Sequence, residues 1–207
     1  MKYKKFITFE GGEGSGKSTQ IKLLAKKIGQ TQDVCLTREP GGTKSAEEIR
    51  KILVRGRTDK WSSISELLLL FAARKDHIDN LILPSLKLKK WVLCDRFVDS
   101  TYVYQGMCGK TSLEIIKKIE NIVIGQFKPE LTFLLNIDPK IGIQRSKRPG
   151  NKDLRYENMD IKFHNKVYRS YLKIASLNKR RIIMIDGSKS ILDIENQIWK
   201  NVKNKIL

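Results

Sequence analysis

The sequence contains little cysteine and no long apolar run. Its three cysteines, Cys35, Cys94 and Cys108, are an odd number without C-x-x-C spacing, which argues against a disulfide framework and against a zinc site. No apolar stretch approaches the roughly 18 residues of a membrane-spanning helix. The N-terminal residues lead only into an apolar run of strand length. We therefore expect a cytoplasmic protein without a membrane segment.

Glycine and proline are also scarce, at 14 and 5 of 207 residues. This composition excludes collagen-like and low-complexity chains. Hydrophobic residues make up 40% of the sequence, enough for a core that is stable without disulfide bonds. The length fits one ordinary domain. Because no repeat, linker or step in composition marks a boundary, residues 1–207 are predicted to form a single domain.

Acidic residues are few relative to basic ones, at 22 against 41, which gives a formal net charge of +19. Such an excess of positive charge could favour binding of nucleic acid, anionic lipid or phosphorylated small molecules, and the sign of the charge alone does not distinguish these partners. The lysines are scattered and form no long basic block. This pattern favours solvated basic faces, and we expect no specific nucleic-acid partner.

Strand patterns alternate with helix patterns along the whole chain. Strands are predicted over residues 3–10, 34–37, 91–95, 131–137 and 182–185. Helices are predicted over residues 18–28, 45–54, 64–83, 113–124, 161–177 and 191–206, the third of them closed by Pro84. This alternation predicts an α/β fold in three layers, with a central parallel sheet of about five strands and helices on both faces.

A glycine-rich phosphate motif lies between the first strand and the first helix. Residues 11–18 satisfy G-x-x-x-x-G-K-[ST], which predicts a P-loop NTPase-like fold that binds a nucleoside triphosphate with Mg²⁺. Backbone N–H groups and the helix N-terminus cradle phosphates, Lys17 reaches the outer phosphates, and the Ser18 hydroxyl can ligate Mg²⁺. The predicted nucleotide-binding residues are Gly11, Gly12, Glu13, Gly14, Ser15, Gly16, Lys17, Ser18 and Thr19.

Three classes of P-loop protein compete at this point. A switch GTPase is disfavoured because the guanine-reading pattern N-K-x-D would need Asp where Leu154 stands, and D-x-x-G would need Gly where Val98 stands. A nucleic-acid ATPase usually needs a longer chain and aromatic platforms for bases. A small-molecule kinase needs further cations that hold the acceptor phosphate in line with the donor.

The sequence supplies such cations. Arg38 and Arg96 follow the second and third predicted strands, and Arg74 lies on the long helix. Because the carboxyl ends of parallel strands share one edge of the sheet, Arg38 and Arg96 are expected to converge on the P-loop. The guanidinium fork suits phosphate. Asp95, at the end of the third predicted strand, is expected near Ser18 and Mg²⁺, with a helix cap as the alternative role.

The chain resembles the thymidylate kinase family over nearly its full length. The resemblance is carried by residues 37–43, 70–78, 95–96 with 100–101, 104–106, 148–157 and 185–187. It implies transfer of the γ-phosphoryl group of ATP to dTMP, giving dTDP for dTTP biosynthesis, usually in a homodimer. Another nucleoside monophosphate kinase or a deoxynucleoside kinase is the runner-up, and would differ at Phe71, Arg74, Thr101 and Gln105.

The resemblance also assigns roles to the acceptor side. It implies that Phe71 stacks on the thymine ring, whereas the bare helical pattern would make Phe71 a core aromatic. Arg74 would contact the base and the acceptor phosphate, which Arg38 and Arg96 neutralise. The other implied acceptor contacts are Ser100, Thr101 and Gln105 near the pyrimidine edge, Tyr104 against the sugar 2′ position, and Glu13 on the 3′-hydroxyl.

The remaining predicted site residues are acidic or lie in a charged segment. Glu10, ending the first strand, is a candidate metal contact, with structural capping as the alternative. Residues 147–158, here called the lid segment, resemble the family's lid. Arg148 would lie on the donor adenine and Arg155 would close over the phosphates. Residues 12–15 carry no Lys or Arg, and the resemblance implies that such a form takes a cation from the lid. Lys152 is a further candidate for it, with Lys147 and Arg145 as alternatives.

Overall fold

A computed structural model describes residues 3–54, 60–146, 156 and 159–207. Within these residues, five strands form one parallel sheet in the order β2-β3-β1-β4-β5. The strands are β1 (Phe6–Glu10), β2 (Val34–Arg38), β3 (Trp91–Asp95), β4 (Leu131–Asn136) and β5 (Ile182–Asp186). The predicted three-layer α/β fold is confirmed.

Helices connect the strands and cover both faces of the sheet. They are α1 (Lys17–Ile28), α2 (Lys44–Val54), α3 (Ser63–His77), α4 (Leu83–Lys87), α5 (Val98–Thr101), α6 (Leu113–Val123), α7 (Pro139–Ser146), α8 (Ile161–Leu177) and α9 (Ile191–Lys205). Several begin at a side chain that accepts a backbone N–H, as Ser112 does for α6 and Asp160 for α8. Among the described helices, none is long and apolar enough to cross a membrane.

The central strand β1 supplies both layers of the core. Its alternate residues Ile7 and Phe9 pack in a cluster with Leu24 of α1 and Ile198 of α9. Phe6 faces the opposite layer, in a cluster that includes residues of α3 and α6. Because every residue of β1 is buried, the strand is held from both sides, and the loop that follows it starts from a fixed point.

The long predicted helix over residues 64–83 is interrupted. The α-helix α3 ends at His77, a π-helical turn spans Ile78–Ile82, and α4 begins at Leu83. Pro84 therefore lies in the first turn of α4 and does not close a helix, which corrects the prediction. The physical reason is that proline lacks only an N–H that is unpaired in any first helical turn. The short helix α5 and the π-helical turn Tyr102–Met107 were not predicted.

Candidate active site

A cavity of about 940 Å³ opens over the carboxyl ends of the strands. The strand register places Asp95 of β3 beside Phe9 of β1 and beside Arg38 of β2. The residues that follow these three strands therefore meet at one edge, as the parallel sheet predicts. Most of the predicted site residues line this cavity, namely Glu13, Gly14, Ser15, Gly16, Lys17, Ser18, Thr19, Arg38, Arg74, Asp95, Arg96, Ser100, Thr101, Tyr104 and Gln105.

The P-loop turns tightly between β1 and α1. Gly14 has φ of +65°, and a Cβ at this position would lie 1.9 Å from the carbonyl oxygen of Gly142 on α7. Only glycine fits this combination of a left-handed backbone and a close backbone approach. The loop ends at Gly16, also with positive φ, and α1 begins at Lys17. The loop thus aims the first N–H groups of α1 at the cavity, the arrangement that binds phosphate.

Lys17 folds back over the loop. Its Nζ donates to the carbonyl oxygens of Gly11 at 3.1 Å and Gly12 at 2.9 Å. Burial, together with the nearby Arg96 guanidinium, lowers the pKa of Lys17 below its ordinary value. The side chain lines the cavity. An ammonium in this position can move from neutral carbonyls to the stronger acceptor oxygens of a phosphate.

Ser18 and Asp95 form a pair that suits a divalent cation. The Ser18 hydroxyl donates to Asp95 Oδ2 at 2.9 Å. The other carboxylate oxygen, Oδ1, is buried without a hydrogen-bond partner among the described residues. One hydroxyl and one carboxylate beside a phosphate loop are oxygen ligands of the kind Mg²⁺ takes, the rest of its shell being phosphate and water. The residues present therefore fit Mg²⁺.

Arg96 is fixed in an unusual conformation. Its φ is +66°, a left-handed backbone that costs energy for a non-glycine residue and persists where surrounding contacts hold it. Its guanidinium donates to the Gly11 carbonyl oxygen at 3.1 Å and to Glu13 Oε1 at 2.7 Å. It also lies 5.2 Å from the centre of the Tyr104 ring. Arg96 thus contacts the P-loop directly.

Glu13 lies between Arg96 and Tyr104. The Tyr104 hydroxyl donates to Glu13 Oε1 at 3.1 Å, the same oxygen that Arg96 contacts. Burial opposes ionisation of Glu13, but Arg96 and Lys17 more than offset it, so its pKa lies below the ordinary value. Glu13 is therefore an ionised carboxylate that lines the cavity, where it can accept a hydrogen bond from a hydroxyl group.

A buried charged network supports the acceptor side. Arg74 Nε donates to Glu39 Oε2 at 2.7 Å, and both side chains are 3% exposed. Arg74 Nη2 donates to Thr101 Oγ1 at 3.0 Å, which joins two predicted site residues. His77 Nδ1 lies 3.1 Å from Glu39 Oε1. Glu39 and His77 were missed from the sequence, although Glu39 lies inside the 37–43 motif, directly after Arg38.

Gln105 is positioned by residues that the sequence did not reveal. Its Nε2 donates to Glu66 Oε1 at 2.8 Å and contacts the Tyr156 hydroxyl at 3.1 Å. The Tyr156 hydroxyl in turn donates to Glu66 Oε1 at 3.1 Å, and its ring centre lies 4.8 Å from that of Tyr104. The amide of Gln105, the carboxylate of Glu66 and the phenol of Tyr156 line the cavity together. They offer both hydrogen-bond donors and acceptors to the edge of a ring bound there.

The stacking role predicted for Phe71 is contradicted by its position. Phe71 is 1% exposed and lies in a core cluster with Leu67 and Ile78, on a stripe at spacings of four and seven residues. The guanidinium of Arg74 lies over its ring at 4.8 Å. The neighbouring Leu70, four residues before Arg74, lines the cavity instead. The position of Phe71 therefore agrees with the helical pattern of the sequence, which predicts a core aromatic residue there.

Glu10 serves as a cap. It is 1% exposed, and it accepts from Phe97 N at 2.8 Å, from the Ser100 hydroxyl at 2.6 Å and from the Tyr171 hydroxyl at 3.0 Å. Both carboxylate oxygens are thus engaged, so the geometry gives the metal role predicted for Glu10 no support. Burial and the nearby Asp99 raise its pKa to about 7.

Arg38 lies at the open side of the cavity. Its Nη2 is 3.2 Å from Glu47 Oε2 of α2, and its side chain is about half exposed, so it can turn toward a ligand. Three predicted residues of the lid segment, Arg148, Lys152 and Arg155, lie outside the described residues.

Comparison with known proteins gives consistent matches. A family model described as thymidylate kinase matches residues 9–198. The chain is 42% identical over 205 residues to a thymidylate kinase of Bradyrhizobium sp. (strain ORS 278), covering 98% of this chain and 91% of that protein. It is 44% identical over 187 residues to that of Caulobacter vibrioides, covering 90% and 89%. The crystal structure of thymidylate kinase from Ehrlichia chaffeensis matches with a TM-score of 0.79 and 34% identity, covering 95% and 97% of the two chains.

Proposed function

The chain belongs to the thymidylate kinase family, and from this premise we propose how its site moves the γ-phosphoryl group of ATP to dTMP. The enzyme is an ATP-dependent nucleoside monophosphate kinase that makes dTDP and ADP. The observation that carries the proposed arrangement is the 2.7 Å contact between Arg96 and Glu13. This contact brings the acceptor arginine against the donor's phosphate loop, so that two phosphates bound there would meet.

The donor phosphates bind the P-loop in this proposal. Backbone N–H groups at the start of α1 hold them, and the Lys17 ammonium leaves the Gly11 and Gly12 carbonyls to contact the outer phosphates. The Ser18–Asp95 pair would hold Mg²⁺. When bound, Mg²⁺ neutralises charge on the donor phosphates. Gly11 to Thr19 form the donor subsite together.

The acceptor nucleotide occupies the opposite side of the cavity. Arg38 and Arg96 bind its phosphate, whose oxygen attacks the γ-phosphorus while the bond to the ADP oxygen breaks. Glu13 accepts the 3′-hydroxyl, and the Tyr104 ring crowds the 2′ position, so that a ribose hydroxyl would collide with it. Thr101 and Arg74 face the pyrimidine edge from the buried network, and Gln105 faces it from its contact with Glu66. Catalysis comes from positioning and charge neutralisation, without a covalent intermediate.

The lid segment completes the charge set in this proposal. Residues 12–15 of the P-loop carry no cation, and the lid segment is assigned a positive charge additional to those of Lys17, Arg38 and Arg96. Arg155 is assigned this role, Lys152 is a second candidate, and Arg148 is assigned to the donor adenine. The support for these three assignments is the match of the sequence motif alone.

A homodimer in the cytoplasm is also part of the proposal. Ile64 and Leu68, which are 41% and 52% exposed, lie four residues apart on α3. Exposed apolar side chains on one helical face suit a contact between two copies. The three cysteines are free thiols, as in a reducing compartment. Analytical ultracentrifugation of the wild type and a Leu68→Glu variant tests the dimer, which the added charge should dissociate.

The Lys17→Ala variant tests the proposed donor site. Loss of this phosphate contact should lower turnover at least about 100-fold, the effect of losing a preorganised charge contact in a transition state. The control is Lys22→Ala, an exposed lysine on the same helix, which should retain wild-type turnover. Circular dichroism should show both variants folded. Full activity of a folded Lys17→Ala variant would overturn the proposed role.

A further inference from the structure

The helix α8 lies behind the P-loop. His164, Val167, Tyr168 and Tyr171, which recur at helical spacing on one face of α8, line a small cavity of about 20 Å³ together with Gly11, Gly12 and Glu13. Tyr171 is 3% exposed. The face of α8 that carries it therefore packs directly against the loop proposed to bind phosphate, although the two segments are some 150 residues apart in sequence.

The hydroxyl of Tyr171 joins three polar side chains of the site. It lies 3.0 Å from Arg96 Nη1, 3.0 Å from Glu10 Oε2 and 2.9 Å from Ser100 Oγ. Arginine can only donate, and a carboxylate can only accept. With Glu10 ionised, the phenol oxygen therefore accepts a hydrogen bond from Arg96, while its O–H donates a hydrogen bond to Glu10 Oε2. This arrangement uses the phenol as a bridge between a cation and a carboxylate.

Arg96 needs a further hydrogen-bond partner, because its backbone conformation is unfavourable and its partner Glu13 is also proposed to bind the substrate. Its backbone is in the left-handed region, a conformation that costs free energy for a non-glycine residue and so must be held by surrounding contacts. Its strongest partner, Glu13, is proposed to accept the 3′-hydroxyl of the acceptor nucleotide. Among the described residues, the hydrogen bonds that stay with Arg96 during binding are then those to the Gly11 carbonyl, the Ser100 hydroxyl at 3.3 Å and the Tyr171 hydroxyl.

We infer that Tyr171 is a positioning residue, whose hydroxyl holds the Arg96 guanidinium where it binds the acceptor phosphate. This inference rests on the proposed role of Arg96. The phenol is suited to the task because burial and the adjacent Glu10 raise the pKa of Tyr171 well above its ordinary value, so it stays protonated at neutral pH. Tyr171 itself does not line the large cavity and acts through Arg96.

The Tyr171→Phe variant removes the hydroxyl and keeps the ring, including its edge contact with Tyr104 at 6.4 Å. We expect the KM for dTMP to rise about 10-fold, the effect of losing one hydrogen bond to a charged group. Thymidine, which lacks the phosphate, should inhibit the variant as well as it inhibits the wild type, and the KM for ATP should change less than twofold. The control is Tyr102→Phe, which loses a hydroxyl contact with Glu120 and should keep the wild-type KM for dTMP.

An Arg96→Ala variant separates this inference from the proposal beneath it. Adding Tyr171→Phe to Arg96→Ala should raise the KM for dTMP no further, because the hydroxyl acts through the guanidinium. If Arg96→Ala is impaired with dTMP and Tyr171→Phe is not, the inference is wrong and the role of Arg96 stands. If Tyr171→Phe weakens thymidine as much as dTMP, its role is merely structural and the inference is wrong. An unimpaired Arg96→Ala overturns the proposed role of Arg96 and the inference with it.

Discussion

Replacing Arg74 with methionine should destabilise the protein strongly. Arg74 and Glu39 are both 3% exposed and form an ion pair at 2.7 Å. Methionine fills much of the arginine volume but leaves the Glu39 carboxylate buried, with His77 as its remaining side-chain hydrogen-bond partner in the described part of the chain. Removing one partner of a buried pair costs about 3–5 kcal/mol, because an uncompensated charge stays in the interior. We expect the lower end, about 3 kcal/mol, since the His77 contact persists.

This loss is measurable by urea unfolding followed by circular dichroism. In thermal unfolding of a chain of this length, a loss of about 3 kcal/mol corresponds to a fall of about 6–12 °C in melting temperature. The matched control is Lys75→Met on the next residue, whose partner Asp79 is exposed, with the two side chains 52% and 43% accessible. Such a surface pair contributes about 0.5 kcal/mol or less.

A second substitution tests the electrostatic reasoning itself. In the Arg74→Met background, Glu39→Gln removes the uncompensated charge, so the double variant should be more stable than Arg74→Met alone. The reasoning is refuted if Arg74→Met costs no more than Lys75→Met. It is also refuted if adding Glu39→Gln to Arg74→Met brings a further loss of stability.

Two further predictions concern Glu10 and the cavity face of α3. Because the pKa of Glu10 is raised from 4.5 to about 7, the folded state binds this proton more tightly than the unfolded state. Its contribution to stability is present below pH 4.5 and falls by about 3 kcal/mol as the pH rises through 7. Glu10→Gln should flatten this decline in urea unfolding between pH 5 and 7.5, and an unchanged decline would contradict the assignment. On α3, Phe71→Ala should cost about 3–5 kcal/mol of stability, whereas Leu70→Ala should mainly raise the KM for dTMP; the reverse pattern would restore Phe71 as the base contact.

The fold was predictable because its signals are local. Strand and helix patterns alternate along the chain, and the phosphate motif fits only between a strand and a helix. Parallel pairing then brings Arg38, Asp95 and Arg96 to one edge without further information. The break of the long helix at His77 was not predictable, because proline is compatible with both the end and the first turn of a helix.

The site was predictable only where residue type and strand position decide the role. Phe71 and Leu70 are adjacent apolar residues on one helix, and which of them faces the cavity depends on how α3 packs on the sheet. Glu10 ends a strand at the correct edge, yet its carboxylate is used by residues 97–100 and 171. Tyr171 approaches Arg96 through tertiary packing of α8, for which the sequence holds no local signal.

In the proposed reaction, the acceptor phosphate and the donor phosphates meet between Arg96 and the P-loop. Its most direct test is ADP formation from Mg·ATP with dTMP, dUMP, dCMP, thymidine, UMP or AMP, beside reactions with no acceptor and with single-stranded DNA. ADP formation should depend strongly on dTMP, and it should be small with thymidine, which lacks the phosphate, and with UMP, which carries the 2′-hydroxyl. Equal ADP formation without any acceptor, or formation only with DNA, would contradict the proposed reaction.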